Sequence, residues 1–338
     1  MKVFAGIAEQ YADFAAYAEG DSPCFADWAR RAAADDDVLA WLDTLPVPKR
    51  QPNLVFAAAR WHGVPAPAPY DVLRAALLDD DGSIARTVRE RSTQTNEAGR
   101  LATLLPALAR VAEQSPEPLA LLELGASAGL CLYPDRYAYR WQPPGGDGED
   151  VVLREDPDAP ELVCRVLEGP GGRPDLPRRL PVVAWRGGID LHPLDVADDE
   201  QTAWLTTLVW PEQEHRRARL VAAIGVARAD PPVLVAGDLL EELPAAVDLA
   251  ARHGTVVVLH SAAAAYLDPA ERERLVTTLS GMVADGACRW ISNEGAGVLP
   301  GVTATGPDVP EGTATFVLGL DGRALAWTHG HGASMTWL

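Results

Sequence analysis

The pattern of apolar residues changes near residue 118, and this change constrains the fold more than any other feature of the chain. Before it, apolar residues recur every three or four positions, as in 95–114, which is typical of amphipathic helices. After it, short apolar runs alternate with helical stretches, as in a buried parallel sheet. We therefore predict an N-terminal all-helical domain over 1–117 and an α/β domain over 118–338.

The second part contains apolar runs that we interpret as strands. They are the segments 119–124, 181–190, 233–239, 255–260 and 288–294. The pair Asp321-Gly322 lies between two further β-rich runs and predicts a closing hairpin. An open, mostly parallel α/β sheet with a C-terminal hairpin is expected, and such sheets bind ligands at the carboxyl ends of their strands. Residues 141–180 are rich in Gly and Pro and are predicted to be an irregular insertion.

The charge and the cysteine content of the chain limit the classes of molecule that it is expected to bind. The chain has 48 Asp and Glu residues against 29 Lys and Arg, a formal net charge of −19. Such a surface repels nucleic acids and anionic membranes, so we expect a small-molecule substrate. The four cysteines form no C-x-x-C pair, and no metal site is expected. Without a signal peptide or a long apolar stretch, the default location is cytoplasmic. The sequence does not indicate an oligomeric state.

The most informative segment is 121–130, LLELGASAGL, at the end of the first predicted strand. Glu123 is followed by a loop of small residues, Gly125, Ala126, Ser127, Ala128 and Gly129. Small residues let a backbone approach a ligand closely, and a helix that begins there offers free N–H groups. A tight strand-to-helix turn with close packing explains the same pattern without any ligand.

This segment resembles the first motif of class I S-adenosylmethionine-dependent methyltransferases, an acid followed by G-x-G-x-G, with Ser127 in place of the middle glycine. Two later segments continue the resemblance, Asp190-Leu191 after the second strand and Gly237-Asp238-Leu239 after the third. The resemblance implies a Rossmann-like, methyltransferase-like fold and S-adenosylmethionine as cofactor. It implies that Glu123 and the loop 125–129 hold the amino-acid end and the ribose region, Asp190 the ribose hydroxyls and Asp238 the adenine.

Two other functions stay open. Gly125-x-Ser127-x-Gly129 is also a G-x-S-x-G nucleophile elbow, and Asp238 and His260 follow it in the chain order of an α/β-hydrolase. Everything before residue 119 is predicted to be helical, however, whereas a hydrolase elbow follows several strands. The second alternative is a methyltransferase-like protein that binds a ligand or a partner without catalysis, since Ser127 departs from the motif.

Longer strings are similar to one family, the actinobacterial proteins grouped as domain of unknown function 2332. The strings are 91–100, 121–141, 188–196 and 203–220. The resemblance spans nearly the whole chain and implies that both parts form one evolutionary unit. It implies no reaction.

Several remaining residues are candidates for the substrate side of the site. We predict a capping turn here, with Thr95 or Asn96 as the cap and Glu97 in the first turn of the next helix. The alternative, which is compatible with the first, is that Arg91, Gln94 and Asn96 form a lid over the cofactor and substrate. His260 ends the fourth strand, where it is a possible general base or simply a polar residue that closes the strand. Tyr266 and Glu294 are further pocket candidates by the same reasoning.

Overall fold

The computed structural model describes residues 5–94, 96–146, 148–310 and 315–338. Its chain divides into two compact units, which we call the helical unit and the sheet unit. The helical unit comprises Met1–Thr95 and Asp198–Val221, and the sheet unit comprises Asn96–Ala197 and Ala222–Leu338. This partition differs from a single boundary at residue 117, because the chain returns to the helical unit after residue 197.

The helical unit is built from short helices, some of which have side-chain N-caps. Its elements are α1 (Ala5–Ala18), α2 (Pro23–Ala32), α3 (Asp36–Asp43), α4 (Pro52–Trp61), α5 (Tyr70–Leu78), α6 (Ser83–Glu90), α8 (Asp199–Leu208) and the start of α9 (Glu214–Ala229). Ser22 caps α2 by accepting the N–H of Phe25, and Pro23 occupies the first turn. Phe25 packs on Phe56 with ring centroids 5.1 Å apart, so aromatic side chains fill this core.

Polar contacts explain why 198–221 belongs to the helical unit. Arg60 donates from Nη1 to the carbonyl oxygens of Thr207 at 2.7 Å and Val209 at 2.6 Å. Trp210 donates its indole N–H to Asn53 at 2.8 Å. These bonds tie the returning segment to α4, and sequence periodicity carries no information about them.

The sheet unit contains one sheet of eleven strands among the described residues. They are β1 (Leu119–Leu124), β2 (Ala138–Gln142), β3 (Val151–Leu153), β4 (Glu161–Leu167), β5 (Val183–Asp190), β6 (Val233–Ala236), β7 (Thr255–Ser261), β8 (Arg289–Gly295), β9 (Phe316–Leu320), β10 (Arg323–Thr328) and β11 (Ser334–Trp337). Their order is β3-β2-β4-β11-β10-β9-β8-β7-β1-β5-β6. Most neighbours pair in parallel, so the mixed α/β class with a large, mostly parallel sheet is confirmed.

β3 and β4 lie within the stretch 141–180 for which the sequence indicated an irregular insertion, and β2 ends at its start. β2 and β4 pair in parallel, and β3 adds to β2 as an antiparallel edge strand. Along β4 the residues alternate between buried and exposed, which is the period of a strand with one covered face. The Gly and Pro residues of 141–180 lie between and after these strands, and their frequency indicated irregular structure instead of strands.

The chain ends in the hairpin that the pair Asp321-Gly322 predicts. β9 and β10 are antiparallel, and the two turn residues have φ angles of 50° and 79°, as a tight turn of the I′ kind requires. β11 follows β10 and pairs in parallel with β4. It therefore joins the β2–β4 group to the rest of the sheet.

Helices cover the two faces of the sheet. On one face lies α7 (Leu101–Gln114), which contacts β2, β4, β8 and β9. On the other face lie α10 (Leu239–Ala250) and α11 (Pro269–Ala284), and the short helix α12 (Pro300–Thr303) contacts the hairpin. Leu122, Val258 and Trp290 pack there with residues such as Leu243 and Leu279 in one apolar cluster.

Two further properties concern the chain as a whole. All four cysteines, Cys24, Cys131, Cys164 and Cys288, are buried and form no disulfide. A search of the described helices for one with the length and apolar character of a membrane span found none.

Candidate functional site at the carboxyl edge of the sheet

Strand order places the candidate site next to β1. The parallel strands run in the order β6-β5-β1-β7-β8, so the chain turns to one side of β1 for β5 and to the other side for β7. In register, Leu124 lies beside Ile189 of β5 and His260 of β7. Open α/β sheets bind ligands outside the carboxyl ends of strands at such a reversal. The β1 loop, residues 125–129, lies at this point.

The β1 loop has an alternating left-handed backbone. Gly125, Ser127 and Gly129 have φ angles of 70°, 51° and 70°. A Cβ on Gly125 would lie 2.6 Å from the Cβ of Ala263, and one on Gly129 would lie 2.9 Å from the Cγ of Pro232. Packing within the protein therefore accounts for both glycines, as the structural alternative expected.

Asp190 holds the middle of the β1 loop. Its Oδ2 accepts the N–H of Ser127 and its Oδ1 accepts the N–H of His192, both at 2.8 Å. The carbonyl of Ser127 in turn accepts the N–H of Leu194 at 3.0 Å. Asp190 is half-buried and Leu191 is 66% exposed, so the carboxylate lies at the border between the loop and solvent.

Asn96 binds the β1 loop from the other side. Its side-chain Nδ2 donates to the carbonyl of Ala126 at 2.6 Å, and its Oδ1 accepts the N–H of Leu130 at 2.9 Å. Glu97 is buried and accepts the N–H of Gly99 at the start of a short 3-10 turn. The predicted cap was Thr95, which lies outside the described residues, or Asn96. In the structure the Glu97 side chain caps the 3-10 turn instead, and the Asn96 side chain binds the β1 loop.

Arg91 and Gln94 lie in the helical unit. The Arg91 guanidinium pairs with Glu200 and lies over the rings of Trp61 and Trp204, at 4.7 Å and 5.0 Å from their centroids. Gln94 also interacts with another part of the protein. Arg91 is thus already engaged by an acid and two aromatic rings.

Glu123 is buried at the end of β1, with 5% exposure, and its Oε2 has no hydrogen-bond partner among the described residues. The pKa of this carboxyl is raised to about 8, mainly by burial; the charge of Arg100 acts to lower it and the charge of Asp190 acts to raise it. Arg100 is buried too and donates to the carbonyls of Ser261 and Gly330, at 2.9 Å and 2.8 Å. The sequence analysis did not identify Arg100. The available signal was Glu123, an acid in an apolar strand that contains no basic residue to pair with it.

His260 is enclosed in a buried network on the opposite face of the sheet from Glu123. The Trp290 indole N–H donates to its Nε2 at 3.0 Å, so the ring proton resides on Nδ1, which donates to Oε1 of Glu294 at 2.7 Å. The same oxygen accepts the N–H groups of Ala263 and Ala264 at 3.0 Å each. Both ring nitrogens are therefore bonded within the protein, whereas a general base needs a free lone pair. Tyr266 is 80% exposed.

The end of β6 supplies the last predicted residues. Asp238 is half-buried and caps α10 by accepting the N–H of Leu240 at 2.7 Å, with Leu239 as the first helical residue. Gly237 donates its N–H to the carbonyl of Asp190 at 3.0 Å. The ends of β5 and β6 are therefore bonded directly, which brings Asp190 and Asp238 to one edge.

Across the described ranges, no three His, Cys, Asp or Glu side chains gather closely enough to hold a metal ion.

The fold and the residues at the carboxyl edge of the sheet together define an open-sheet α/β protein with acidic side chains at the strand ends. The chain belongs to a family of uncharacterized proteins conserved in bacteria, domain of unknown function 2332, whose model matches residues 8–337. The match covers nearly all of both units. No curated protein and no solved structure matches the chain.

Proposed function

We propose that the sheet unit binds S-adenosylmethionine and that the protein transfers a methyl group to a small molecule. The observation that carries the proposal is the set of acids at the carboxyl ends of three neighbouring strands, Glu123 on β1, Asp190 on β5 and Asp238 after β6. An ammonium group, ribose hydroxyls and an adenine amino group are all hydrogen-bond donors. Three carboxylate acceptors in this order along the carboxyl edge of the sheet suit a ligand that carries an ammonium group, ribose hydroxyls and an adenine amino group.

Glu123 supports the amino-acid end of such a ligand. Its Oε2 is buried and has no partner among the described residues, and a buried polar atom is costly unless it is hydrogen-bonded. A ligand ammonium group supplies that bond. It also favours the charged carboxylate, so binding shifts a group that is otherwise protonated at neutral pH toward the anion.

Asp190 supports the ribose. Two backbone N–H groups already fix the orientation of its carboxylate. Each carboxylate oxygen has a second lone pair, so both remain able to accept a hydroxyl proton. The half-exposed position of the side chain leaves these lone pairs within reach of a ligand on the solvent side.

Catalysis in this proposal rests on positioning. The bound cofactor supplies an electrophilic methyl group, and the chain aligns the acceptor atom with it, which can supply much of a rate enhancement by itself. His260 is not assigned as a base, since Trp290 and Glu294 occupy both of its ring nitrogens. The charge of −19 supports a small acceptor over a nucleic acid.

Asp238→Asn tests the adenine contact separately from the fold. Asparagine caps helices as well as aspartate does, so its oxygen keeps the bond to the N–H of Leu240. Its NH₂ group then faces the adenine amino group, donor against donor. We expect the dissociation constant for S-adenosylhomocysteine in calorimetric titration to rise at least about tenfold, or about 1.4 kcal/mol, with an unchanged melting temperature.

Glu273→Gln, an exposed substitution on α11, is the matched control and should bind like the wild type. A folded wild-type protein that binds neither S-adenosylmethionine nor S-adenosylhomocysteine contradicts the proposal. Binding without turnover over a broad panel of acceptors favours a non-catalytic binding protein. Labelling of Ser127 by a fluorophosphonate probe favours a serine hydrolase instead.

A further inference from the structure

Ser127 carries two unfavourable features that glycine would avoid. Its φ angle of 51° lies in the left-handed region, which L-residues with a Cβ rarely adopt. Its hydroxyl is buried and has no hydrogen-bond partner among the described residues. Both flanking positions that share this backbone conformation, Gly125 and Gly129, are glycines. Strain and an unpaired polar group at a ligand-binding edge point to a role for the side chain in binding.

The neighbours of Ser127 indicate what its hydroxyl recognises. The N–H of the same residue donates to Oδ2 of Asp190 at 2.8 Å, so the Asp190 carboxylate lies next to the Ser127 backbone. The carboxylate accepts protons only, whereas a serine hydroxyl both donates and accepts. Two adjacent hydroxyl groups match this pair, because one can donate to Asp190 while the oxygen of the other accepts from Ser127.

We infer that Ser127 is a specificity-determining residue that reads the ribose cis-diol of a nucleoside together with Asp190. The inference rests on the proposed function and deepens it, because it assigns the side chain that departs from the methyltransferase motif. Serine at this position lowers the stability of the free protein and raises its affinity for ribonucleosides. A ligand that lacks one of the two ribose hydroxyls loses this paired hydrogen bonding to Ser127 and Asp190.

The test compares Ser127→Gly and Ser127→Ala with the wild type in titrations with S-adenosylhomocysteine, adenosine and 3′-deoxyadenosine. Ser127→Gly should raise the melting temperature and weaken S-adenosylhomocysteine binding about tenfold. Ser127→Ala keeps the left-handed strain, so it should weaken binding equally with a smaller rise in melting temperature. The preference for adenosine over 3′-deoxyadenosine should fall at least about threefold in both. Ser280→Ala, an exposed change on α11, should alter none of these values.

The outcomes separate this inference from the proposed function. Unchanged S-adenosylhomocysteine affinity and unchanged diol preference in both variants overturn the role of Ser127 and leave the methyltransferase proposal standing. If the wild type binds adenosine but not S-adenosylhomocysteine, and Ser127→Gly weakens adenosine binding, the role of Ser127 stands and the methyltransferase proposal fails. If a folded wild type binds none of the three nucleosides, both are overturned.

Discussion

At Glu123, burial in the protein opposes the charged form of the carboxyl group. Its carboxyl group is buried, and its Oε2 has no hydrogen-bond partner among the described residues, so the neutral form is favoured and burial raises its pKa to about 8. In the unfolded chain a glutamate titrates at about pH 4.3. Between these pH values the folded protein therefore binds more protons than the unfolded chain does. The free energy of unfolding falls as the pH rises through this window.

Replacing Glu123 with glutamine removes this pH dependence. The amide is neutral at every pH, so Glu123→Gln should be more stable than the wild type at pH 8 by about 4 kcal/mol and nearly equal to it at pH 4.5. Melting temperatures between pH 4.5 and 8.5 measure the effect. The exposed variant Glu273→Gln should follow the wild-type profile. A Glu123→Gln profile that falls with pH as steeply as that of the wild type would show that Glu123 is ionised in the folded protein.

At the scale of elements, the β1 loop depends on residues from distant parts of the chain. Asn96 and Asp190 bind it from two sides, while Ala263 and Pro232 pack against its glycines. A strand followed by small residues predicted the loop, and continuous apolar runs predicted β1 and β5 to β8. The role of Asn96 could not be predicted, because it depends on a contact across 34 positions of sequence.

Asn96→Ala tests how far this side chain fixes the loop. The change leaves the carbonyl of Ala126 and the N–H of Leu130 without their side-chain partner, which costs about 1–3 kcal/mol of stability. Asn96→Asp can still accept from Leu130 but places a carboxylate oxygen beside the Ala126 carbonyl, so it should not restore stability. Denaturant midpoints, with hydrogen exchange over 125–130, measure both variants.

Gln10→Ala, on an exposed position of α1, is the control and should leave the midpoint and the exchange of the loop unchanged. Full stability of Asn96→Asp would mean that the bond to Leu130 alone holds the loop.

For the whole molecule, the sequence predicted the fold class and the strand ends but not the partition into units. The mixed α/β class followed from the change of pattern near residue 118, and the acids at the strand ends followed from the strands themselves. Membership of 198–221 in the helical unit depends on side chains such as Arg60 and Trp210, which periodicity does not describe. The surroundings of His260 likewise depend on the Trp290 indole of the next strand.

The four buried thiols allow the local opening of the folded protein to be measured by alkylation. Burial raises the pKa of Cys24 and Cys131, and it raises that of Cys164 to about 12 and that of Cys288 to about 11, so the reactive thiolate is scarce in the native state. Alkylation by iodoacetamide at neutral pH should therefore proceed only as fast as each segment opens. Peptide mass spectrometry gives the alkylation rate of each cysteine. The rate at Cys24 reports the opening of the helical unit, and the rates at the other three cysteines report the opening of the sheet unit. Rapid stoichiometric labelling of any one cysteine in the native protein would show that its surroundings are open.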